Sequence, residues 1–143
     1  MRWKITLITT MVCLLGCEAI KNENEIYGSY ELTSSDAKIL LDVSADHSYS
    51  EVIRFSNGSD QRNSGQWQWR DGRVCFTSLL VPTPLMKDLF EKAKPEEQPR
   101  VVGGAYQLDH CVPAGKEYGK TILEMNPDKP ENFVKVSAAT GRR

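Results

Sequence analysis

The chain has 143 residues, of which 26% are charged, and a formal net charge of −1 at pH 7. This length suits one domain with a modest hydrophobic core and is too short for two domains of ordinary size. The near-neutral charge argues against a nucleic-acid partner.

The first residues combine positive charge with an apolar stretch. Arg2 and Lys4 precede residues 5–15, which carry no charge and have only threonines as polar interruptions. This order is typical of an export signal. The stretch is about half as long as the ~20 apolar residues that a membrane-spanning helix needs, and Glu18 ends it. We therefore expect no transmembrane helix here.

The sequence Leu14-Leu15-Gly16-Cys17 resembles the lipobox of bacterial lipoproteins, in which an aliphatic residue, a tolerant position and a small residue precede a cysteine. Only a thiol forms the thioether with diacylglycerol, and the small Gly16 gives the signal peptidase access to the next bond. The resemblance implies that residues 1–16 are a lipoprotein signal peptide. Cys17 would then be the acylated first residue of the mature chain, with palmitate among its acyl groups.

Acylation would attach the mature protein to a membrane, stably if two or three acyl chains are present. In lipoproteins of double-membraned bacteria an aspartate after the cysteine is the usual signal for the inner membrane. Glu18 is not that signal, so the resemblance implies the cell envelope, at the outer membrane and facing the periplasm. Other interpretations stay open: secretory cleavage after Ala19, an uncleaved anchor, or a disulfide role for Cys17.

The resemblance makes residues 17–27 the lipidated N-terminus, and we expect them to be a tether. The run from Lys21 to Glu25 is polar and offers nothing to bury. Nine flexible residues reach only about 15–18 Å, which would keep the domain close to the membrane. Residues 28–143 are predicted to form a single β-rich domain.

From Gly28 onward, apolar and polar residues alternate with period two, as in half-buried strands. The Asp71-Gly72 pair is a type I′ hairpin signal. Consecutive short strands predict a mainly β fold, an antiparallel meander closed as a small barrel or stacked as a sandwich. The predicted strands are Gly28–Thr33, Lys38–Val43, Tyr49–Phe55, Gly65–Arg70, Arg73–Val81, Ala105–Val112, Thr121–Met125 and Phe133–Ser137.

One segment breaks the alternation. Thr83 suits a helix N-cap and Pro84 the first helical position, which predicts one short helix near 84–94, followed by an exposed loop over 95–104. The apolar side chains of this helix recur on one face. They form the candidate interaction surface: Leu85, Met86, Leu89 and Phe90.

The segments Gly28–Leu32, Leu41–Tyr49 and Gly65–Phe76 resemble the opening of lipocalin-like β-barrel lipoprotein domains. In that pattern a G-x-Y/W strand leads into hairpins marked D-G-x-Y and G-x-W. Here Asp46-His47 stands in place of the usual Asp-Gly. The resemblance implies an up-and-down barrel and assigns no functional residue.

Export would also decide how the cysteines are used. Cys13 would leave with the signal and Cys17 would carry lipid, so Cys75 and Cys111 remain as a pair. An exported domain meets an oxidising compartment, which favours a disulfide over two free thiols or metal ligation. Alternation places Cys75 on a face with Thr77 and Leu79, so we expect the bridge on the outer face or edge of the sheet.

No constellation of residues indicates catalysis. A nucleophile needs an oriented base, and the candidates are His47 in a predicted turn and His110 in a strand. A G-x-S-x-G motif is absent from the sequence. The histidine and cysteine spacing matches no common zinc site, so we expect no metal and no cofactor.

Two further groups of residues have structural interpretations. Asp42, Asp46 and Glu51 lie close in sequence and are interpreted as a solvated sheet edge rather than as paired catalytic carboxylates. Trp67 and Trp69 lie two residues apart in a predicted strand and so share one face of it. We interpret them as part of the core rather than as the lining of a ligand pocket.

The first hypothesis is therefore a membrane-anchored envelope lipoprotein with a non-catalytic β-barrel that binds a protein partner or a small apolar ligand. The alternative is a periplasmic inhibitor or immunity-type lipoprotein, and an envelope hydrolase is third. An exposed apolar patch would favour the inhibitor, whereas a roomy apolar interior would favour the ligand carrier.

Overall fold

A computed structural model describes residues 17–138, in which ten strands form one antiparallel sheet beside a single α-helix. The predicted signal peptide, residues 1–16, lies outside the described residues. No helix in the described range is long and apolar enough to cross a membrane. The strands are β1 (Cys17–Ala19), β2 (Gly28–Thr33), β3 (Ala37–Val43), β4 (Ser48–Phe55), β5 (Asp60–Arg70), β6 (Arg73–Pro82), β7 (Arg100–Val102), β8 (Ala105–Glu117), β9 (Lys120–Leu123) and β10 (Phe133–Ala138), and helix α1 is Thr83–Phe90.

Eight of these strands close into a barrel in the order β8-β6-β5-β4-β3-β2-β10-β9, because β8 pairs with both β6 and β9. The short strands β1 and β7 add to β8 outside this ring. The predicted mainly β fold with one short helix is confirmed, and closure decides for the barrel over the sandwich.

Alternation along the strands builds the barrel core. In β3 the side chains from Ala37 to Val43 are alternately buried and half-buried, and Tyr30 and Leu32 of β2 point inward. The strand bounds differ from the predicted ones mainly where β5 begins earlier and β8 continues later. The barrel interior is filled by large buried side chains, among them Trp67, Tyr30, Tyr49, Phe76 and Phe133.

One hairpin turn follows the predicted chemistry, and a second turn of the same kind was not predicted. Asp71 and Gly72 have φ angles of 51° and 74°, which is the type I′ turn that the Asp-Gly pair predicted. Tyr118 and Gly119, with φ angles of 51° and 76°, form a second turn of this kind between β8 and β9. Each turn therefore joins two consecutive strands that pair with each other in antiparallel orientation.

Helix α1 and the chain before β2 close opposite ends of the barrel. Successive antiparallel pairings from β2 to β6 place the start of β2 at one end and the end of β6 at the other. At the first end Ile26 is fully buried, and its carbonyl accepts a hydrogen bond from Tyr30 Oη. At the second end Leu85 and Met86 of α1 are buried.

The N-terminal segment differs from the expected tether, because it is packed on the barrel. β1 pairs with β8 in the register Cys17↔Glu117 to Ala19↔Gly115. Ile20 and Ile26 supply apolar anchors on either side of the polar run. The tether was predicted from the polar residues alone. The flanking isoleucines and the pairing with the free edge of β8 hold the segment on the barrel instead.

The region after β6 also differs in detail. α1 ends at Phe90 instead of continuing toward residue 94, and the side chain of Gln98 donates hydrogen bonds to the carbonyls of Phe90 and Ala93. Within the predicted loop, β7 forms a hairpin with β8 through Gly103 and Gly104. Both glycines have positive φ angles, which suit a tight hairpin.

Cys75 and Cys111 form a disulfide with an S–S distance of 2.09 Å. They are directly opposed in the β6–β8 pairing, with Cα atoms 3.9 Å apart, closer than the usual 4.4–6.8 Å. The bridge lies on the outer face, as expected. The prediction that Leu79 shares this face is wrong, because a bulge with Ser78 at φ 50° turns Leu79 into the core.

Replacing both Cys75 and Cys111 by alanine should lower the free energy of unfolding by about 4 kcal/mol, because the bridge closes a 36-residue loop in the unfolded chain. Urea unfolding measures this loss. Reduced wild-type protein should show the same loss, while the double variant should not respond to reductant. An unchanged unfolding midpoint, or thiol labelling of both cysteines in untreated protein, would contradict the pairing.

Candidate functional site

The barrel end closed by α1 carries an apolar surface, here called the α1–β7 surface and defined by Leu89, Phe90, Val101 and Tyr106. Leu89 is 42% exposed and Val101 is 56% exposed. The ring of Phe90 lies edge-on to the ring of Tyr106, with centroids 5.1 Å apart. Tyr106 is in turn the register partner of Val101, so helix and hairpin share one surface.

The candidate interaction surface predicted from the sequence is split by the structure. Leu85 and Met86 are 4% and 1% exposed and are corrected to core positions, because this side of the short helix faces the barrel interior. Leu89 and Phe90 lie in the last turn of α1 and stay accessible. Val101 and Tyr106 were missed because only the β7–β8 pairing places them beside the helix.

Three hydrogen bonds, one of them buried, hold α1 and β7 in place. Asn126 is 1% exposed and its side chain donates to the carbonyl of Leu85 at 2.9 Å. The N–H of Thr83 donates to the carbonyl of Gly104 at 3.1 Å, and Gln61 donates to the carbonyl of Val102 at 3.0 Å. Contacts of this kind fix the α1–β7 surface to the barrel wall.

Polar residues surround the α1–β7 surface, and they carry both signs of charge. The exposed charged neighbours in sequence are Lys87, Asp88, Glu91, Lys92 and Arg100. An apolar centre with a charged rim is the arrangement found at protein–protein interfaces. Such a surface has the chemistry to bind another protein.

A second apolar region lies on the outer wall formed by β9, β10 and β2. It is a groove of about 670 Å³, and its apolar lining includes Tyr118, Ile122, Val134 and Val136. Ile122 and Val134 are register partners, so their side chains lie side by side. This groove is outside the barrel, where the interior is already filled by aromatic and aliphatic side chains.

One carboxyl group is buried in the barrel. Glu51 is 1% exposed, and its Oε1 accepts hydrogen bonds from Asn63 Nδ2 at 2.8 Å and from the N–H of Leu80 at 2.7 Å. Its Oε2 is buried without a hydrogen-bond partner. Burial raises the pKa of this carboxyl to about 7, against the lowering effect of these two hydrogen bonds. Glu51 ties β4 to β6 just after the bulge at Ser78.

The three carboxylates interpreted as a solvated edge have separate surroundings. Asp42 accepts a hydrogen bond from Ser29 Oγ, and Asp46 closes a turn onto Ser48. Glu51 is buried, so the solvated interpretation is wrong for it. Its place in the alternation of β4, two residues from buried Tyr49 and Ile53, was the available signal.

The histidines also lie in different surroundings. His47 has φ 66° in the β3–β4 turn, its ring contacts the Glu23 carboxylate, and the ring is tilted by 46° against that of Trp67, with centroids 5.0 Å apart. His110 Nε2 lies 3.2 Å from the carbonyl of Met125. Within residues 17–138, no three His, Cys, Asp or Glu side chains form a group that could hold a metal ion.

Comparison with known proteins assigns no family. None of the protein-family models, curated proteins or solved structures compared with this chain matches it.

Glu51→Gln should change how stability depends on pH. The folded protein retains the Glu51 proton between pH 4.5 and about 7, where the unfolded chain has lost it. Wild-type stability should therefore fall by about 3 kcal/mol as pH rises through this window. Glutamine keeps the oxygen acceptor and cannot ionise, so the stability of the variant should not fall over this pH range.

Urea unfolding of both proteins, below pH 4.5 and above pH 7, measures the difference. Glu96→Gln, at an exposed position, is the matched control and should follow the wild type. Parallel pH dependence of the wild type and Glu51→Gln would contradict the raised pKa.

Proposed function

We propose that this protein is a membrane-anchored lipoprotein of the cell envelope whose non-catalytic β-barrel binds a protein partner through the α1–β7 surface. The observation that carries this proposal is the exposure of Leu89 and Val101 at the barrel end opposite the one where the chain from Cys17 packs. The proposed location is the outer membrane, facing the periplasm.

The anchor is supported by the sequence Leu14-Leu15-Gly16-Cys17 after a charged start and an apolar stretch. The barrel agrees with such an anchor, because Cys17 begins β1 at the end of the molecule that α1 does not cover. The anchor therefore leaves the α1–β7 surface accessible.

A protein partner agrees better with the barrel than a small apolar ligand in its interior. The interior is filled by side chains such as Trp67, Tyr49 and Phe133. Ile26 is buried at one end, and Met86 is buried at the other. A carrier of small apolar molecules needs a largely preformed apolar pocket, and the groove on the outer wall is open to solvent.

The exposed apolar patch also favours the periplasmic inhibitor or immunity-type lipoprotein, which is the second candidate function. In that case the partner is an enzyme, and the rigid α1–β7 surface covers it. An envelope hydrolase remains the third hypothesis, and Glu51 does not favour it, because this carboxyl is enclosed by the barrel.

Cys17→Ser should abolish both acylation and cleavage before residue 17, because serine cannot form the thioether. Intact-mass measurement of the protein from the producing cells should show an acylated Cys17 N-terminus for the wild type and an uncleaved, unacylated chain for the variant. Cys13→Ser is the matched control within the predicted signal and should be processed normally. A wild-type N-terminus at unmodified Ile20 would contradict the lipoprotein proposal.

A benzophenone amino acid at Val101 should crosslink one protein partner when intact producing cells are irradiated. Adding Leu89→Lys should lower the yield about tenfold or more, because loss of an apolar anchor costs about 2 kcal/mol. An exposed substitution of this kind changes stability by only about 0.5 kcal/mol.

The control places the same crosslinker at Arg54, which is exposed on the outer wall at β4. Equal crosslinking from Arg54 and Val101, or a yield that Leu89→Lys does not change, would contradict partner binding at the α1–β7 surface.

A further inference from the structure

The pairing of β1 with β8 begins at Cys17 itself. Cys17 is the register partner of Glu117, and Glu18 that of Lys116. Paired residues of antiparallel strands lie about 5 Å apart. If Cys17 is the lipidated residue, as proposed above, no free spacer separates the lipid from the barrel, and the barrel has to rest on the bilayer.

The part of the barrel beside Cys17 exposes apolar side chains. Tyr118 follows Glu117 in the turn between β8 and β9 and is 83% exposed, more than Leu89, Val101 or Val136. Val136, near the end of β10, is 54% exposed. Both line the groove on the outer wall, together with Ile122 and Val134. We call these four residues the anchor-end surface.

Charges of both signs surround the anchor-end surface, and the acidic residues outnumber the lysines. Three lysines, Lys116, Lys120 and Lys135, lie among five glutamates, Glu18, Glu25, Glu31, Glu117 and Glu131. Lys116 contacts the Glu25 carboxylate, and Lys135 Nζ donates to the Glu25 carbonyl at 2.9 Å. Attraction to anionic lipid therefore contributes little to any binding at this end.

We propose that the anchor-end surface lies in the headgroup region of the membrane that holds the Cys17 lipid, with the Tyr118 ring inserted as an interfacial anchor. Tyrosine is enriched at this depth, because its ring is apolar and its hydroxyl is polar. The inference rests on the proposed lipidation and adds that the barrel wall itself contacts the bilayer.

This arrangement sets the height of the α1–β7 surface. Val101 is level with Tyr106, and β8 continues from there for eleven residues to Glu117. At about 3.3 Å per residue this is roughly 36 Å along the strand, and still roughly 28 Å along the barrel axis at a tilt of about 40°. The α1–β7 surface therefore faces away from the bilayer.

The test uses the full lipidated chain in phosphatidylcholine vesicles, with and without brominated acyl chains, which quench tryptophan on contact. Tyr118→Trp is the reporter and Val101→Trp the matched control, each compared with wild type to subtract the native tryptophans. We expect the tryptophan at position 118 to lose most of its emission and that at position 101 to keep it. Val136→Trp provides a second reporter if Tyr118→Trp does not fold.

Because the anchor-end surface has no excess of positive charge, quenching at position 118 should persist without anionic lipid and at high salt. Intact mass and vesicle flotation are measured on the same samples. An unlipidated chain that does not float overturns the lipoprotein proposal and this inference together. A lipidated, floating chain overturns this inference alone if position 118 is unquenched or if positions 118 and 101 are quenched equally.

Discussion

Strand β8 has to satisfy its backbone hydrogen-bonding groups along both edges, and the rest of the fold depends on how it does so. One edge pairs with β6 over most of its length and then with β1, and the other pairs with β7 at its start and with β9 at its end. Unpaired backbone groups in a packed sheet are costly. Without β8 as common partner, the barrel has no closing strand.

Glu25 connects the N-terminal segment to the strands that close the barrel, β8, β9 and β10. Its carboxylate contacts Lys116 of β8, while its carbonyl accepts hydrogen bonds from Thr121 of β9 and Lys135 of β10. The hydrogen bond from Lys116 is the largest of the contributions that hold the pKa of Glu25 near 2. One residue thus links the segment before β2 to the three strands that complete the ring.

The sequence predicted those features that depend on neighbouring residues. Period-two alternation located the eight barrel strands, and the Asp71-Gly72 pair located a hairpin. Strands and bulges that depend only on pairing with a distant strand were not predictable, although the distant Cys75–Cys111 pair was, because the proposed processing and export would leave those two cysteines together. β1 and β7 are three residues long and form strands only because β8 offers free edges, and the bulge at Ser78 is visible only in the pairing with β8.

The α1–β7 surface was likewise predictable only in its local, helical part. The helical pattern placed Leu85, Met86, Leu89 and Phe90 on one face, but a pattern alone does not distinguish a face that covers a barrel end from a face that binds a partner. The length of α1 decides this. Because it ends at Phe90, its first turn fills the barrel end while its last turn reaches the rim, beside the β7–β8 hairpin.

The two ends of β8 also explain why a rigid barrel suits the proposed function. Cys17, the proposed anchor residue, pairs with the last residue of β8, and the α1–β7 surface is built on the first residues of that strand. In a lipoprotein with a long flexible tether, the tether sets how far a partner can bind from the membrane. In this barrel the length of β8 would set that distance. The Cys75–Cys111 disulfide links β8 to β6 and so keeps the paired strand in place. A partner would then have to approach at one height above the bilayer, which selects envelope proteins whose own binding surfaces lie at that height.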